Sequence, residues 1–186
     1  MTNSNKLSEL YPNMTYLFLC LGRAKDGSPH KIYKTIGGGK TKDEIKDLLQ
    51  RSYEFASGNK CRIYCFFSMN ASPTTMKHIV SLYTIYGKSD LIGLDIDSKE
   101  YDLTEILDII RSNFSPKYIH IHETKNGRRV IFELKSDDLI TLRNLLSPFF
   151  INKTIDIIGF PSYVLYYPGD EFNIDRVMDT YFVNVL

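Results

Sequence analysis

The chain has 186 residues, 43% of them hydrophobic, so it can bury a packed core in one or two small domains rather than remain disordered. Its 23 lysines and arginines nearly balance 22 aspartates and glutamates, which excludes a strong overall positive field and leaves nucleic-acid contact to a local patch. Because no apolar run reaches the roughly 20 residues that span a bilayer, and the polar opening lacks a secretory signal, we expect a cytoplasmic protein without membrane contact.

Residues 1–89 are expected to form a small α/β module. Thr41, with Glu44 three residues later, is typical of a helix start. The glycines at 37–39 resemble the end of a P-loop, but the first glycine of that motif would fall at Lys34, so the motif is incomplete. We interpret them as a flexible loop, with the alternative that a Gly-rich turn before a helix binds a phosphate through its free backbone amides. The predicted elements are a strand over 16–21, a helix over 41–55, a strand over 61–67 and a helix over 72–86. The cysteines Cys20, Cys61 and Cys65 are expected to be reduced structural thiols.

Residues 90–186 are expected to form a core with a C-terminal extension. The Asn126-Gly127 pair predicts a hairpin with a type I′ turn, because both residues tolerate positive φ. The order is βαββαβ, which predicts an antiparallel sheet with helices on one face and the other face free for a ligand. The predicted segments are strand 91–97, helix 101–113, strand 117–123, turn 124–127, strand 128–134, helix 137–150 and strand 153–158.

Side-chain alternation predicts which residues share the face away from the helices. The apolar residues that mark the helix-covered face are Ile92, Leu94, Ile96, Ile119, Ile121, Val130, Phe132, Leu134, Ile155 and Ile157. The opposite face then carries Gly93, Asp95, Asp97, His120, His122, Arg129, Ile131, Glu133 and Asp156. An ordinary solvated sheet face could show the same alternation.

Asp95 and Asp97 are the most informative pair on that face. Two carboxylates two residues apart in an otherwise apolar strand disfavour joint ionisation unless a cation lies between them. Hard oxygen donors on a strand suit Mg²⁺ or Mn²⁺, which can bridge phosphate oxygens. The pair therefore favours a divalent-metal site.

Three blocks of sequence carry a resemblance to a known family. They are residues 93–97 with Asp95 and Asp97, residues 123–132 with a glycine turn, and Asp156 ahead of the Pro-Gly segment at 167–170. In this order they resemble the motifs of the archaeo-eukaryotic primase superfamily, the catalytic module of primases and primase-polymerases, which has an RRM-like core. The fold class implied is α+β, an RRM-like βαββαβ catalytic core preceded by a small α/β module.

The resemblance also implies an activity and a set of site residues. Asp95, Asp97 and Asp156 would be catalytic and would hold Mg²⁺ or Mn²⁺ in a template-dependent nucleotidyltransferase. Arg129 stands at the position of the family residue that contacts the incoming nucleotide. Lys125 and Arg128 lie with it in a basic cluster around the hairpin, and His120 and His122 lie on the adjacent strand and the same face, so these five are the predicted nucleotide-binding residues. The implied partners are a single-stranded DNA template, nucleoside triphosphates, and a replicative helicase or second primase subunit.

Two departures from the family pattern keep other functions open. Arg129 stands where the family has a histidine, and an arginine often found ahead of the Pro-Gly segment is absent. One alternative is a primase-like accessory subunit or nucleic-acid-binding protein that has lost efficient turnover. The other is an RRM-like RNA-binding module, which predicts stacking aromatic residues where Asp95, Asp97 and Arg129 are expected.

Overall fold

The computed structural model of the chain describes residues 14–28, 32–68, 91–150, 155–158 and 162–182. These residues form an α+β structure with two four-stranded antiparallel sheets and four α-helices. In chain order the elements are β1 (Thr15–Gly22), β2 (Tyr33–Gly39), α1 (Lys42–Asn59), β3 (Cys61–Ser68), β4 (Leu91–Ile96), α2 (Thr104–Phe114), β5 (Ile119–Glu123), β6 (Arg128–Glu133), α3 (Leu139–Leu146), β7 (Ile155–Ile158), β8 (Ser162–Tyr166) and α4 (Ile174–Tyr181). No helix in the described ranges is both long and apolar enough to cross a bilayer.

The described residues divide into two compact units. The first contains residues 14–28, 32–68 and 162–182, and the second contains 91–150 and 155–158. From the sequence, 162–182 were expected to extend the second domain, yet β8 pairs antiparallel with β3, opposing Val164 to Tyr64. Both side chains are buried, so this long-range pairing removes apolar surface from water. The last strand of the first unit, β8, therefore follows the second unit in the sequence.

The first unit is a sheet in the order β2-β1-β3-β8 with α1 packed on β1, β2 and β3. The predicted strands are confirmed as β1 and β3. The predicted helix start at Thr41 is also confirmed, because Thr41 Oγ1 accepts a hydrogen bond from the Glu44 amide at 3.3 Å. Oε2 of Glu44 in turn accepts from the amides of Lys40 and Thr41 at 2.8 and 3.0 Å. The three cysteines are free and buried, as predicted. The helix predicted over 72–86 lies outside the described residues.

The glycines at 37–39 form the end of β2, so the interpretation as a loop is wrong. A Cβ on Gly37 would lie 2.9 Å from Leu48 Cδ2, and one on Gly39 would lie 3.0 Å from the Cβ of Glu44. Glycine is needed here because α1 passes very close to β2. The backbone amides of Lys40 and Thr41, just before α1, already donate hydrogen bonds to the carboxylate of Glu44.

The second unit has the predicted βαββαβ order, with strands arranged β5-β6-β4-β7 and every neighbouring pair antiparallel. The predicted alternation of buried residues is confirmed, because the predicted apolar residues lie in or against one core cluster. That cluster also contains Ile106 and Ile110 of α2 and Leu142 and Leu146 of α3, so both helices pack on this face of the sheet.

The hairpin between β5 and β6 is present, but its predicted type I′ turn is wrong. Glu123 pairs with Arg128, so four residues connect the strands, and neither Asn126 nor Gly127 has a positive φ. The Thr124 amide donates to the Gly127 carbonyl at 3.0 Å, and the Gly127 amide donates to Thr124 Oγ1 at 3.1 Å. The threonine side chain thus closes the wider turn that this four-residue connection requires.

Candidate functional site

Four polar residues from four strands form a single row across the second sheet. The strand registers pair His122 with Arg129, Arg129 with Asp95, and Asp95 with Asp156. Directly opposed residues in antiparallel strands have their side chains on the same face, so all four project from one side of the sheet. The row therefore joins residues from all three sequence blocks, on strands far apart in the chain.

Arg129 and Asp95 form an ion pair in the centre of this row. Nε and Nη2 of Arg129 donate to Oδ1 of Asp95 at 3.2 and 3.0 Å. The arginine side chain is 9% exposed and the aspartate side chain 33% exposed. Charge-assisted bonds of this kind are stronger than neutral ones, so the guanidinium neutralises the carboxylate that the sequence assigns to a metal.

Asp156 and Asp97 extend the acidic part of the site. Asp156 is exposed on β7, directly across from Asp95, and Asp97 is exposed immediately after the end of β4. Within the described ranges, no three histidine, cysteine, aspartate or glutamate side chains are close enough together to hold a metal ion. The three aspartates expected as metal ligands thus comprise one cross-strand pair and a third residue at the strand end.

His120 and His122 lie on the same face but are buried, with exposed fractions of 8% and 3%. Burial lowers the pKa of His120 to about 4. Burial, together with the charges of Arg129 and His120, lowers the pKa of His122 to about 3. Both imidazoles are therefore neutral at physiological pH, and His122 sits beside the guanidinium of Arg129 in the row.

The expectation that this whole sheet face is open is wrong. His120, His122, Arg129 and Ile131 are buried, while the accessible residues of the row are Asp95 and Asp156. The sequence indicated this burial, because the alternation in the strands places the large apolar residues Leu91, Tyr118 and Ile131 on the same face. In the structure each of these residues is at most 1% exposed. Removing a face with three such residues from water stabilises the fold.

The two remaining residues assigned to nucleotide binding are Arg128, the first residue of β6, and Lys125 in the turn before it. Arg128 alternates with Arg129, and its guanidinium donates to the carbonyl of Tyr101, so it does not share the face of Asp95. Lys125 is exposed in the turn between β5 and β6. That turn adjoins the end of β4, where Asp97 follows.

Gly127 contributes to the site, although the sequence predicted for it only a place in the hairpin turn. A Cβ at this position would lie 1.9 Å from the carbonyl oxygen of Ile96 and 2.9 Å from the amide nitrogen of Ser98. The backbone of the hairpin therefore packs directly against the backbone that carries Asp97.

Comparisons with known proteins give no further assignment. No protein-family model matches the chain, and searches of curated proteins and of solved structures return no similar protein.

Proposed function

We propose that this chain is a primase-polymerase-type nucleotidyltransferase that joins nucleotides on a single-stranded DNA template. The observation that carries the proposal is the row in which Arg129, Asp95 and Asp156 are direct cross-strand neighbours. The sequence resemblance needs its three blocks to meet, and a different register of β6 or β7 would have separated them. The strand order β5-β6-β4-β7 also supports the RRM-like core that the resemblance implies.

The residues of the row suit Mg²⁺ or Mn²⁺ in their chemistry. Asp95 and Asp156 supply carboxylate oxygens from neighbouring strands, and Asp97 supplies a third at the end of β4. When bound, such cations activate a 3′-hydroxyl and neutralise charge that develops on the phosphates. The sequence resemblance implies that these three aspartates hold the cations, but in the described residues they do not converge as a group of three, so Asp97 would have to approach the Asp95 and Asp156 pair when a cation binds.

The other polar residues have roles toward the nucleotide. Arg129 carries a planar guanidinium that fits phosphate oxygens, and Lys125 adds an exposed positive charge in the adjoining turn. His122, neutral and buried, positions Arg129 from its other side. Arg128, which bonds the Tyr101 carbonyl on the other face, and His120, which is buried, have no direct contact with the nucleotide in this proposal.

Incorporation assays test the proposal. The purified chain would be incubated with Mn²⁺ or Mg²⁺, a single-stranded DNA template with or without primer, and labelled ribo- or deoxyribonucleoside triphosphates. We expect incorporation by the wild type and none by Asp95→Ala/Asp97→Ala or by Asp156→Asn. The matched control is Asp108→Asn, since Asp108 is an exposed carboxylate on α2. Wild-type rates in the Asp95→Ala/Asp97→Ala variant would contradict the proposal.

The second candidate function is nucleic-acid or nucleotide binding without turnover, as in an accessory primase subunit. The observation that favours it is the ion pair between Arg129 and Asp95, which places a protein cation at the proposed metal ligand. This candidate predicts binding of single-stranded DNA with no incorporation, and binding that persists in Asp97→Ala. A helicase or second primase subunit would then supply the activity.

A further inference from the structure

The segment between β4 and α2, residues 97–103, begins with Asp97 and lies against the turn that precedes β6. Gly127 in this turn is so close that a Cβ on it would lie 1.9 Å from the carbonyl oxygen of Ile96 and 2.9 Å from the amide nitrogen of Ser98. These two atoms belong to the peptide groups on either side of Asp97. The backbone around this carboxylate is therefore packed against the hairpin.

Arg128 makes a second contact with the same segment, four residues further along the chain. Its guanidinium donates a hydrogen bond to the backbone carbonyl of Tyr101, and the residue is half-buried. The hydrogen bonds from Thr104, together with the nearby charge of Arg128, lower the pKa of Asp102. Arg128 therefore lies against the end of the segment from which α2 begins.

We propose that Arg128 is a positioning residue that holds the segment 97–103 so that Asp97 can reach a cation bound by the cross-strand aspartate pair of the row. The inference rests on the nucleotidyltransferase function proposed for this site, and it gives Arg128 a role there that does not involve the nucleotide. Because the backbone is held at both ends of the segment, the approach of Asp97 to the cation is a movement of its side chain. Without the hydrogen bond from Arg128 the segment would have more conformations, and Asp97 could reach the cation in a smaller fraction of them.

The charge of Arg128 and its hydrogen bond have opposite effects on metal affinity. A positive charge near a cation site repels the cation, so removal of the charge alone would strengthen metal binding. Loss of the hydrogen bond reduces the fraction of chains in which Asp97 is in place, so it weakens metal binding. The sign of the change in affinity therefore distinguishes positioning from electrostatic repulsion.

Mn²⁺ titration followed by electron paramagnetic resonance, with no nucleotide present, measures this sign. In Arg128→Met we expect Mn²⁺ to bind at least about threefold more weakly than in the wild type. Arg128→Lys keeps a hydrogen-bond donor for the Tyr101 carbonyl and should recover part of the lost affinity. Arg111→Met is the matched control, because it removes an exposed charge from the last turn of α2 and should leave Mn²⁺ affinity unchanged.

A double-mutant cycle tests whether Arg128 acts through Asp97. In Asp97→Asn the position of the segment no longer matters to the cation, so adding Arg128→Met should cause no further loss of affinity. An equal loss in both backgrounds would overturn the positioning role, as would unchanged or tighter Mn²⁺ binding in Arg128→Met alone. A lack of Mn²⁺ binding in the wild type would instead overturn the proposed metal site, and this inference with it.

A measurement on the wild-type chain covers the case in which Arg128→Met does not fold. NMR relaxation of the backbone amides gives order parameters for residues 97–103 before and after Mg²⁺ is added. A segment that Arg128 already holds should have order parameters of about 0.85 without the metal, as rigid backbone has. Values below about 0.6 that rise only when Mg²⁺ is added would show that the cation orders the segment, and would overturn the proposal.

Discussion

Gly127 lies so close to the backbone of Ile96 that a Cβ on the glycine would come within 1.9 Å of the Ile96 carbonyl oxygen. The contact joins the turn between β5 and β6 to the strand end that carries Asp97. Because the neighbouring atoms belong to the backbone, no side-chain rotation can make room.

Gly127→Ala should therefore be destabilising. We expect the free energy of unfolding to fall by about 2 kcal/mol or more, since the hairpin must move away from β4. Gly58→Ala is the matched control, because Gly58 is within α1 and a Cβ there meets nothing within 4 Å, so this change should be neutral or stabilising. Urea unfolding of both variants measures the difference, and equal stabilities would contradict the close contact.

Lys125 is expected to bind the triphosphate of the incoming nucleotide without taking part in the chemical step. Lys125→Gln should raise KM by about threefold to tenfold and leave kcat unchanged, because it removes binding that is equal in the ground and transition states. Lys135→Gln is the control, since Lys135 is exposed after the other end of β6. Steady-state incorporation kinetics separate the two parameters, and a fall in kcat at unchanged KM would refute this role.

The buried histidines should make the protein less stable in acid. Burial lowers the pKa of His120 to about 4 and that of His122 to about 3, whereas an unfolded histidine titrates near 6.5. Below pH 6.5 the unfolded chain binds protons that the native chain does not, so stability falls as the pH decreases toward 4. At pH 5 each histidine should cost about 2 kcal/mol.

Urea unfolding at pH 7 and pH 5 checks this dependence. His120→Gln/His122→Gln removes both titrating groups, so its loss of stability between the two pH values should be smaller than that of the wild type. The comparison cancels the contribution of carboxylates, which titrate in both proteins. An identical pH dependence in the two proteins would contradict the lowered pKa values, because it would show that the histidines bind protons equally in the native and unfolded states.

In the first unit, Arg62 and Asp26 form a second, largely buried ion pair. Nε and Nη2 of Arg62 donate to the two carboxylate oxygens of Asp26 at 2.5 and 2.7 Å, and the guanidinium lies 4.7 Å from the ring centroid of Tyr167. These hydrogen bonds hold the pKa of Asp26 below its ordinary value. The pair connects the segment after β1 with β3 and the segment after β8.

Arg62→Met should lower the free energy of unfolding by about 3 kcal/mol, since it leaves a carboxylate that is 15% exposed without its partner. The same change should raise the pKa of Asp26, which NMR titration measures. Arg51→Met is the control, because its ion pair with Asp47 is more than half exposed and should contribute less than about 1 kcal/mol. Equal effects of the two changes would contradict a buried network.

Local sequence pattern was sufficient to predict the βαββαβ order of the second unit and the face on which each strand residue lies. Both follow from short-range periodicity: alternation in strands places Asp95, Arg129 and Asp156 on one face whatever surrounds the sheet. The capping box at Thr41 was equally visible, since its partners are three residues apart.

Features that depend on residues far apart in the chain came from the three-dimensional structure. The register that opposes Asp95 to both Arg129 and Asp156, the pairing of β8 with β3, and the close approach of Gly127 to Ile96 are set by packing between separate segments. The alternation in sequence marks His120 and His122 as outward-facing, but their burial depends on the whole fold. Local pattern therefore determines which residues share a face, and long-range packing determines which of them meet and which remain accessible.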